Sequence, residues 1–303
     1  MKKFYSNGKL LITGEYIVLD GAIALALPTK FGQDLVVIEK QNQLISWKSF
    51  DFDNSCWFDA AITFNEIIHK NSFGEYCTIK NTLLQILHQA HKLNPSIILN
   101  SQGFQVTTTL TFPRNWGLGT SSTLINNIAQ WFRVDAFVLL KNSFGGSGYD
   151  IACAQNNTPI LYQLRNEIPI VTTISFHPKF TKHIYFVYLN QKQNSKTAIL
   201  NYQKNTFDKE KISDKINQLT KIIATTTDFL VFENAIKQHE NELSLILNQP
   251  TIKQQLFSDF EGAVKSLGAW GGDFVMVLSK ENPKNYFELK GYTTILSFTN
   301  MIL

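Results

Sequence analysis

Four stretches of the chain hold residue types suited to gripping phosphate and moving a proton. The sharpest is Gly117-Leu118-Gly119 followed by Thr120-Ser121-Ser122, set between a strand pattern and a helical one. The first N–H groups of a helix have no partner inside it, and the helix dipole gives that end about half a positive charge. Glycines let a phosphate approach such a backbone closely, and hydroxyls at the helix start add hydrogen bonds or ligate Mg²⁺. An N-cap role for Thr120 or Ser121 accounts for the same pattern without any ligand. The second stretch is Gly145-Gly146-Ser147-Gly148-Tyr149-Asp150, where Asp150 is suited to take a proton from a substrate hydroxyl. A helix-start acid stabilised by the dipole is the plain alternative. The third is Lys9 in Asn7-Gly8-Lys9-Leu10, either a bridge between phosphate and acid or a solvated lysine at a strand end. The fourth, Gly268-Ala269-Trp270-Gly271-Gly272-Asp273, is a glycine turn between helix and strand, or simply a connection.

Several known motifs are excluded. No Gly-Lys-Ser/Thr follows the glycines, and Ser195-Lys196-Thr197 lacks a glycine-rich lead, so there is no Walker A loop. Ile151 stands where a dinucleotide fingerprint needs its third glycine after Gly146 and Gly148. No G-x-S-x-G elbow and no H-R-D catalytic loop occur. The six histidines show no H-x-x-x-H or H-E-x-x-H spacing. His88 and His91, three apart on a helical pattern, read as surface residues. Cys56, Cys77 and Cys153 have neither a disulfide framework nor metal-ligand spacing, which suits a reducing compartment.

The elements that must position these residues follow from periodicity. Lys9 to Pro28 reads as extended chain with a turn, and Phe31 to Lys40 and Gln43 to Phe52 as strands. Thr78 to Leu93 carries a helical apolar stripe ending near Asn94-Pro95. Phe104, Val106, Thr108 and Leu110 alternate as in a half-buried strand; Leu124, Ile125, Ile128, Ala129 and Phe132 then repeat as in a helix. Asp135 predicts the N-cap of a helix over 136–142. Beyond residue 178 the spacing predicts a strand at 183–189, mostly helix over 208–265, a strand at 274–278 and another at 293–298. No repeat of fixed period is present. Interleaved and segregated strands and helices together predict an α+β class.

The 303 residues suggest two domains at about 100–200 residues each, and we place the boundary near residue 178. Charged residues make up 17% and aromatics 13%, which argues against disorder. The net charge of +4 comes from 25 lysines and only three arginines, Arg114, Arg133 and Arg165. Lysine lacks the planar fork that reads bases and phosphates bidentately, so nucleic-acid binding is not expected. No run reaches about 18 apolar residues, and Gly14 and Glu15 cut short the apolar stretch after Met1-Lys2-Lys3. We expect a soluble cytoplasmic protein with no membrane partner, a monomer or homodimer.

The order of the four stretches resembles the GHMP family of small-molecule kinases. Gly8-Lys9-Leu10-Leu11-Ile12-Thr13-Gly14-Glu15-Tyr16 looks like that family's first motif, in a Gly-Glu-Tyr form nearest to phosphomevalonate kinases. Pro113-Arg114-Asn115-Trp116-Gly117-Leu118-Gly119-Thr120-Ser121-Ser122 resembles its phosphate loop, P-x-x-x-G-L-G-S-S-A. Gly146-Ser147-Gly148-Tyr149-Asp150-Ile151-Ala152 looks like the segment bearing the catalytic aspartate, in a form met in a bacterial subgroup. Gly268 to Asp273 resembles the third motif. The resemblance implies a ribosomal protein S5 domain 2-like N-terminal domain (1–178) and a ferredoxin-like C-terminal domain (179–303). It implies ATP with its phosphates on Asn115, Trp116, Gly117, Leu118, Gly119, Thr120, Ser121 and Ser122, and Mg²⁺ on Ser121. Asp150 would be the base with Lys9 its partner. Glu15, Tyr16, Gly146, Ser147, Gly148, Gly268, Ala269, Trp270, Gly271 and Gly272 would bind a small-molecule substrate.

Three departures accompany the resemblance. Thr120 and Ser122-Thr123 replace the usual Ser and Ala while keeping a hydroxyl at 121. Trp270 replaces a glycine, so its ring either shapes the substrate pocket or blocks the approach. No Asp or Glu occurs over 136–149, which leaves the second acidic Mg²⁺ ligand unplaced. The expected activity is phosphorylation of a hydroxyl or phosphate on a small metabolite, with mevalonate or 5-phosphomevalonate as the expected substrate. The alternatives are a diphosphomevalonate decarboxylase and a catalytically silent nucleotide or metabolite binder.

Overall fold

A computed structural model describes residues 1–69, 78–191 and 195–303; Cys77 lies outside the described residues. The chain forms two compact units that interleave along the sequence. One comprises Met1–Gly8, Phe31–Arg114 and Leu118–Gln155, the other Lys9–Lys30, Asn115–Gly117 and Asn156–Leu303. This division differs from the single cut expected near residue 178, because the first two strands each run from one unit into the other. Among the described residues no helix is long and apolar enough to cross a membrane.

The first unit draws on β1 (Lys2–Leu11), β2 (Ala24–Glu39), β3 (Leu44–Phe50), β4 (Cys56–Thr63) and β5 (Phe104–Leu110). Their order is β4-β3-β5-β2, with β1 also on β2. β3 and β5 run parallel, and β5 lies antiparallel to β2 with Val37 opposite Val106. The helices are α1 (Phe64–Ile68), α2 (Ile79–Leu93), α3 (Ser96–Leu99), α4 (Thr120–Phe132), α5 (Ala136–Ser143) and α6 (Tyr149–Gln155). Alternation turns Val37, Ile45, Trp47 and Val106 to one face, where Leu87, Ile128 and Ile151 from α2, α4 and α6 meet them. Each such side chain contributes about 1.5–3 kcal/mol when fully buried. Asp135 caps α5 as expected, accepting from the N–H groups of Phe137 and Val138 at 2.7 and 2.9 Å. His88 and His91 are corrected from surface to core: they are 9% and 8% exposed. The apolar face of α2 is wide enough to include them, and the backbone oxygen of Ile67, 2.7 Å from His88 Nδ1, offsets the desolvation.

The second unit adds β6 (Ile160–Arg165), β7 (Ile168–Thr173), β8 (Ile184–Tyr188), β9 (Ala263–Ser266), β10 (Phe274–Leu278) and β11 (Ile295–Ser297). Its helices are α7 (Ser195–Gln203), α8 (Lys209–Thr225), α9 (Phe229–Leu247), α10 (Ile252–Leu256), α11 (Lys284–Leu289) and α12 (Phe298–Met301). β6 pairs with the start of β2 and with β7. The other sheet has the order β11-β8-β10-β9, antiparallel throughout. Helices join β8 to β9, β9 and β10 follow each other directly, and α11 joins β10 to β11. That is the split β-α-β-β-α-β arrangement of ferredoxin-like folds, as expected.

Candidate active site

In the first unit the glycine-hydroxyl stretch forms a bare helix start. The N-cap of α4 is Gly119, in the left-handed region at φ 97° and ψ 40°, and no side chain caps the helix. Thr120 and Ser121 are therefore its first two helical residues, and the capping role open to them from sequence does not hold. Glycine suits this N-cap because it reaches positive φ without a Cβ penalty. The hydroxyls that follow point two ways. Ser122 is buried and donates to the Gly119 oxygen at 2.8 Å, and Thr123 donates to Gln33 Oε1 at 2.6 Å. Ser121 alone of these three is exposed, at the end of the helix where the dipole favours an anion.

A buried polar ladder holds α4 in place. Asn127 Nδ2 donates to the backbone oxygen of Gln33 at 2.9 Å, and Gln33 Nε2 donates to Thr108 Oγ1 at 2.6 Å. Ser6 donates to Asn127 Oδ1 and accepts from Asn126 Nδ2, both at 2.8 Å. Leaving any of these buried groups unpaired would cost about 1–3 kcal/mol, so the ladder fixes the rotation of α4 against β1, β2 and β5. Gln155 Nε2 donates to Asn126 Oδ1 at 3.1 Å and ties α6 to the same ladder. Asp150 stands in the first turn of α6, half-buried, with Gly146, Ser147 and Gly148 leading into it.

In the second unit, Trp116 packs edge-on against Phe274, centroids 5.4 Å apart, and Tyr188 donates to the Asn115 oxygen at 3.1 Å. Lys9 is half-buried within β1, and its ammonium donates to the Gly117 oxygen at 3.3 Å. It is not a solvated strand-end lysine. Asp273 lies against Gly117, close enough to fill the place of a side chain there.

Glu15 and Tyr16, expected to face substrate, are buried. Glu15 pairs with Lys265 at 2.5 Å, and His239 Nε2 lies 3.7 Å from its other oxygen. Burial raises Glu15 and Glu240, the latter to about 7, while Lys265 pulls both down. Burial, and then Lys265, push His239 well below its usual range, so it is neutral. Burial also drives Tyr16 up to about 12. Trp270, expected to shape or block the pocket, is 9% exposed and packs with Tyr16, Tyr202, Ile216 and Leu243. Its Nε1 donates to the Pro250 oxygen at 3.3 Å. Lys265, Glu240, His239 and the Gln33–Asn127 ladder escaped the sequence reading. A lysine inside the apolar run Ala263-Val264-Lys265 was the one available signal for the cluster.

No model of a known protein family matches the chain, and no curated protein matches it. Solved structures do. The fold is that of the GHMP small-molecule kinases. The phosphomevalonate kinase of Streptococcus pneumoniae, solved in complex with phosphomevalonate and AMPPNP, is 16% identical with a TM-score of 0.72, covering 98% of this chain and 100% of that one. Mevalonate kinase of Methanococcus jannaschii is 17% identical with a TM-score of 0.68, covering 97% and 96%. Lactococcus lactis galactokinase, complexed with galactose, is 11% identical with a TM-score of 0.70, covering 98% and 92%.

Proposed function

We propose that the chain is an ATP-dependent small-molecule kinase that moves the γ-phosphoryl group of ATP to a hydroxyl or phosphate of a small metabolite. The observation that carries this is the start of α4: a glycine N-cap, no capping side chain, and the exposed Ser121 hydroxyl. The uncapped N–H groups and the dipole suit a nucleotide phosphate. The AMPPNP bound to the pneumococcal phosphomevalonate kinase supports a nucleotide for this fold.

The chemistry asks for positioning and charge neutralisation. A bond forms between the acceptor oxygen and the γ-phosphorus and the bridging P–O bond to ADP breaks; where the acceptor is a hydroxyl, Asp150 takes its proton. Mg²⁺, when bound with the nucleotide, supplies positive charge, and Ser121 and Asp150 are the residues that would hold it. The described residues contain no group of three or more His, Cys, Asp or Glu that could hold a metal. Reliance on nucleotide oxygens and water fits the way Mg²⁺ is commonly held beside phosphates. Lys9 is assigned a supporting charge and Gly146–Gly148 acceptor binding, both by resemblance. Glu15, Tyr16 and Trp270, being buried, are assigned support of the backbone instead of substrate contact.

Mevalonate or 5-phosphomevalonate is the proposed acceptor. A silent binder is favoured by the sparse acidic ligands, whereas Trp270, packed into the core, does not favour it. A coupled ADP-release assay with Mg·ATP against mevalonate, phosphomevalonate, diphosphomevalonate, homoserine and galactose decides. Acceptor-dependent ADP release that Asp150→Asn loses supports the kinase. Phosphate release with diphosphomevalonate indicates the decarboxylase. ATP binding with no turnover on any of the five counts against the proposed acceptors and favours the silent binder.

A further inference from the structure

Four ionisable side chains are sealed inside the second unit: Glu15, His239, Glu240 and Lys265, the last 0% exposed. The Lys265 ammonium stands 2.5 Å from Glu15 Oε1 and 3.6 Å from Glu240 Oε2. His239 accepts the Gly14 N–H at Nε2, 3.0 Å away, which keeps that nitrogen unprotonated. Stability alone is a poor account of such a cluster, because well-packed apolar side chains commonly do as well as a buried ion pair. The hydrogen bonds around it indicate what it holds in place.

Both backbone groups of Ser266 are clamped. Lys265 Nζ donates to the Ser266 oxygen at 2.9 Å, and the Ser266 N–H donates to Glu240 Oε1 at 3.0 Å. The Ser266 hydroxyl in turn accepts the Gly271 N–H at 3.1 Å. On the other side of the cluster, Tyr16 follows Glu15 directly and adopts φ 62°, a rare conformation for a bulky residue. Its ring stacks on Tyr202, centroids 5.4 Å apart, and its hydroxyl oxygen accepts the Trp270 N–H at 2.8 Å. Two consecutive N–H groups of the glycine turn are therefore held by two hydroxyls, one beside Glu15 and one beside Lys265. The turn ends at Asp273, whose carboxylate lies against Gly117, the residue whose oxygen Lys9 holds.

We infer that Tyr16 and Ser266 are positioning residues for the Gly268–Gly272 turn, with the Lys265 ion cluster fixing where their two hydroxyls stand. The structural half is independent of the activity. Its consequence for turnover rests on the proposed kinase function, which assigns work to Lys9 and the 115–122 loop. Strain at Tyr16 fits this role, since a backbone held off its preferred basins persists only where its surroundings over-determine it.

The test is amide hydrogen exchange of the whole chain, comparing peptides over 268–273 with β8 and β10 as internal controls. Tyr16→Phe and Ser266→Ala each delete one oxygen, and Lys265→Met removes the ammonium. Each is expected to speed exchange at 269–272 by about tenfold or more while β8 and β10 stay within about twofold. If Lys265→Met fails to fold, Tyr16→Phe and Ser266→Ala keep the idea falsifiable. Exchange unchanged within about twofold in both Tyr16→Phe and Ser266→Ala overturns the inference. In the same samples Mg·AMPPNP binding and acceptor-dependent ADP release are measured. Turnover should fall about fivefold or more with the AMPPNP Kd within about threefold, a split that a general loss of stability would not give. Faster exchange with unchanged turnover overturns the positioning role in catalysis. A wild type without ADP release on any acceptor sinks the kinase function, and exchange then decides the turn by itself.

Discussion

Asp273 occupies the space that a side chain on Gly117 would need: an ideal Cβ there would lie 2.2 Å from Asp273 Oδ2 and 2.3 Å from its Cγ. Gly117 also sits at φ 68°, where an L side chain is strained. Two independent reasons thus require glycine at one position of the loop. Gly117→Ala should lower the unfolding free energy by about 1–3 kcal/mol. Adding Asp273→Gly removes the collision but leaves the φ strain, so the double variant should recover only part of the loss. Urea denaturation of both reads this directly; a Gly117→Ala midpoint equal to wild type would mean that neither the collision with Asp273 nor the positive φ costs stability.

Of Ser121, Ser122 and Thr123 near the start of α4, the first is exposed and the other two are buried. Ser121→Ala removes the exposed one and should raise the Mg²⁺ requirement several-fold while leaving thermal stability unchanged. A superimposable Mg²⁺ titration would take Ser121 out of metal binding. Thr123→Val deletes the partner of Gln33 and should cost about 1–3 kcal/mol of stability, because the Gln33 oxygen is left buried with less to accept. The pair of variants distinguishes binding from scaffolding within three residues of one helix.

Asp150→Asn keeps the shape of the side chain and removes its capacity to take a proton. Turnover should drop by about a hundredfold or more, the scale of a positioned base. AMPPNP binding, measured calorimetrically without Mg²⁺, should change little, because the helix start proposed to hold the phosphates is untouched. Turnover within a factor of about two of wild type would remove Asp150 from proton transfer.

Much of the fold shows in the order of residues, and the reason is periodicity. Phe104–Leu110 alternates cleanly, and β5 has those bounds; Phe274–Leu278 is an unbroken apolar run, and β10 has those. β2 reads short because Pro28 and Gly32 interrupt its pattern, yet Thr29 still bridges to Ile302 and the strand continues. β7 shows no alternation, since nearly every residue in it is exposed, and Pro169 interrupts its β-branched run. The site divides the same way. Glycines next to hydroxyls at a helix start are local in sequence and were legible. The Glu15–Lys265 pair joins residues 250 positions apart, and a lone Lys or Glu reads as a solvated charge until the fold encloses it. The packing of Trp270 with Tyr16 is hidden for the same reason, since the two are 254 positions apart.

The enclosed charges give the chain a pH dependence of predictable sign. Burial lifts the Glu240 carboxyl from the usual 4.5 to about 7, against the pull of Lys265. Glu15 is raised in the same sense, and His239 stays neutral. A carboxyl whose folded-state pKa exceeds its unfolded one takes up a proton on folding. Its favourable contribution is complete below the unfolded value and is lost as pH rises through the folded one. At high pH the cluster holds two carboxylates for one ammonium; with Glu240 protonated it is balanced. Wild-type stability should therefore decline between about pH 5 and pH 8 from this group. Glu240→Gln keeps an oxygen for the Ser266 N–H and cannot ionise. Its stability relative to wild type should rise across that interval by about 1–3 kcal/mol, the Glu15 contribution being common to both proteins. Denaturation at several pH values measures the difference. Curves that run parallel from pH 5 to 8 would mean that Glu240 does not change its charge in the folded protein, and that the ammonium of Lys265 keeps both neighbouring carboxylates ionised.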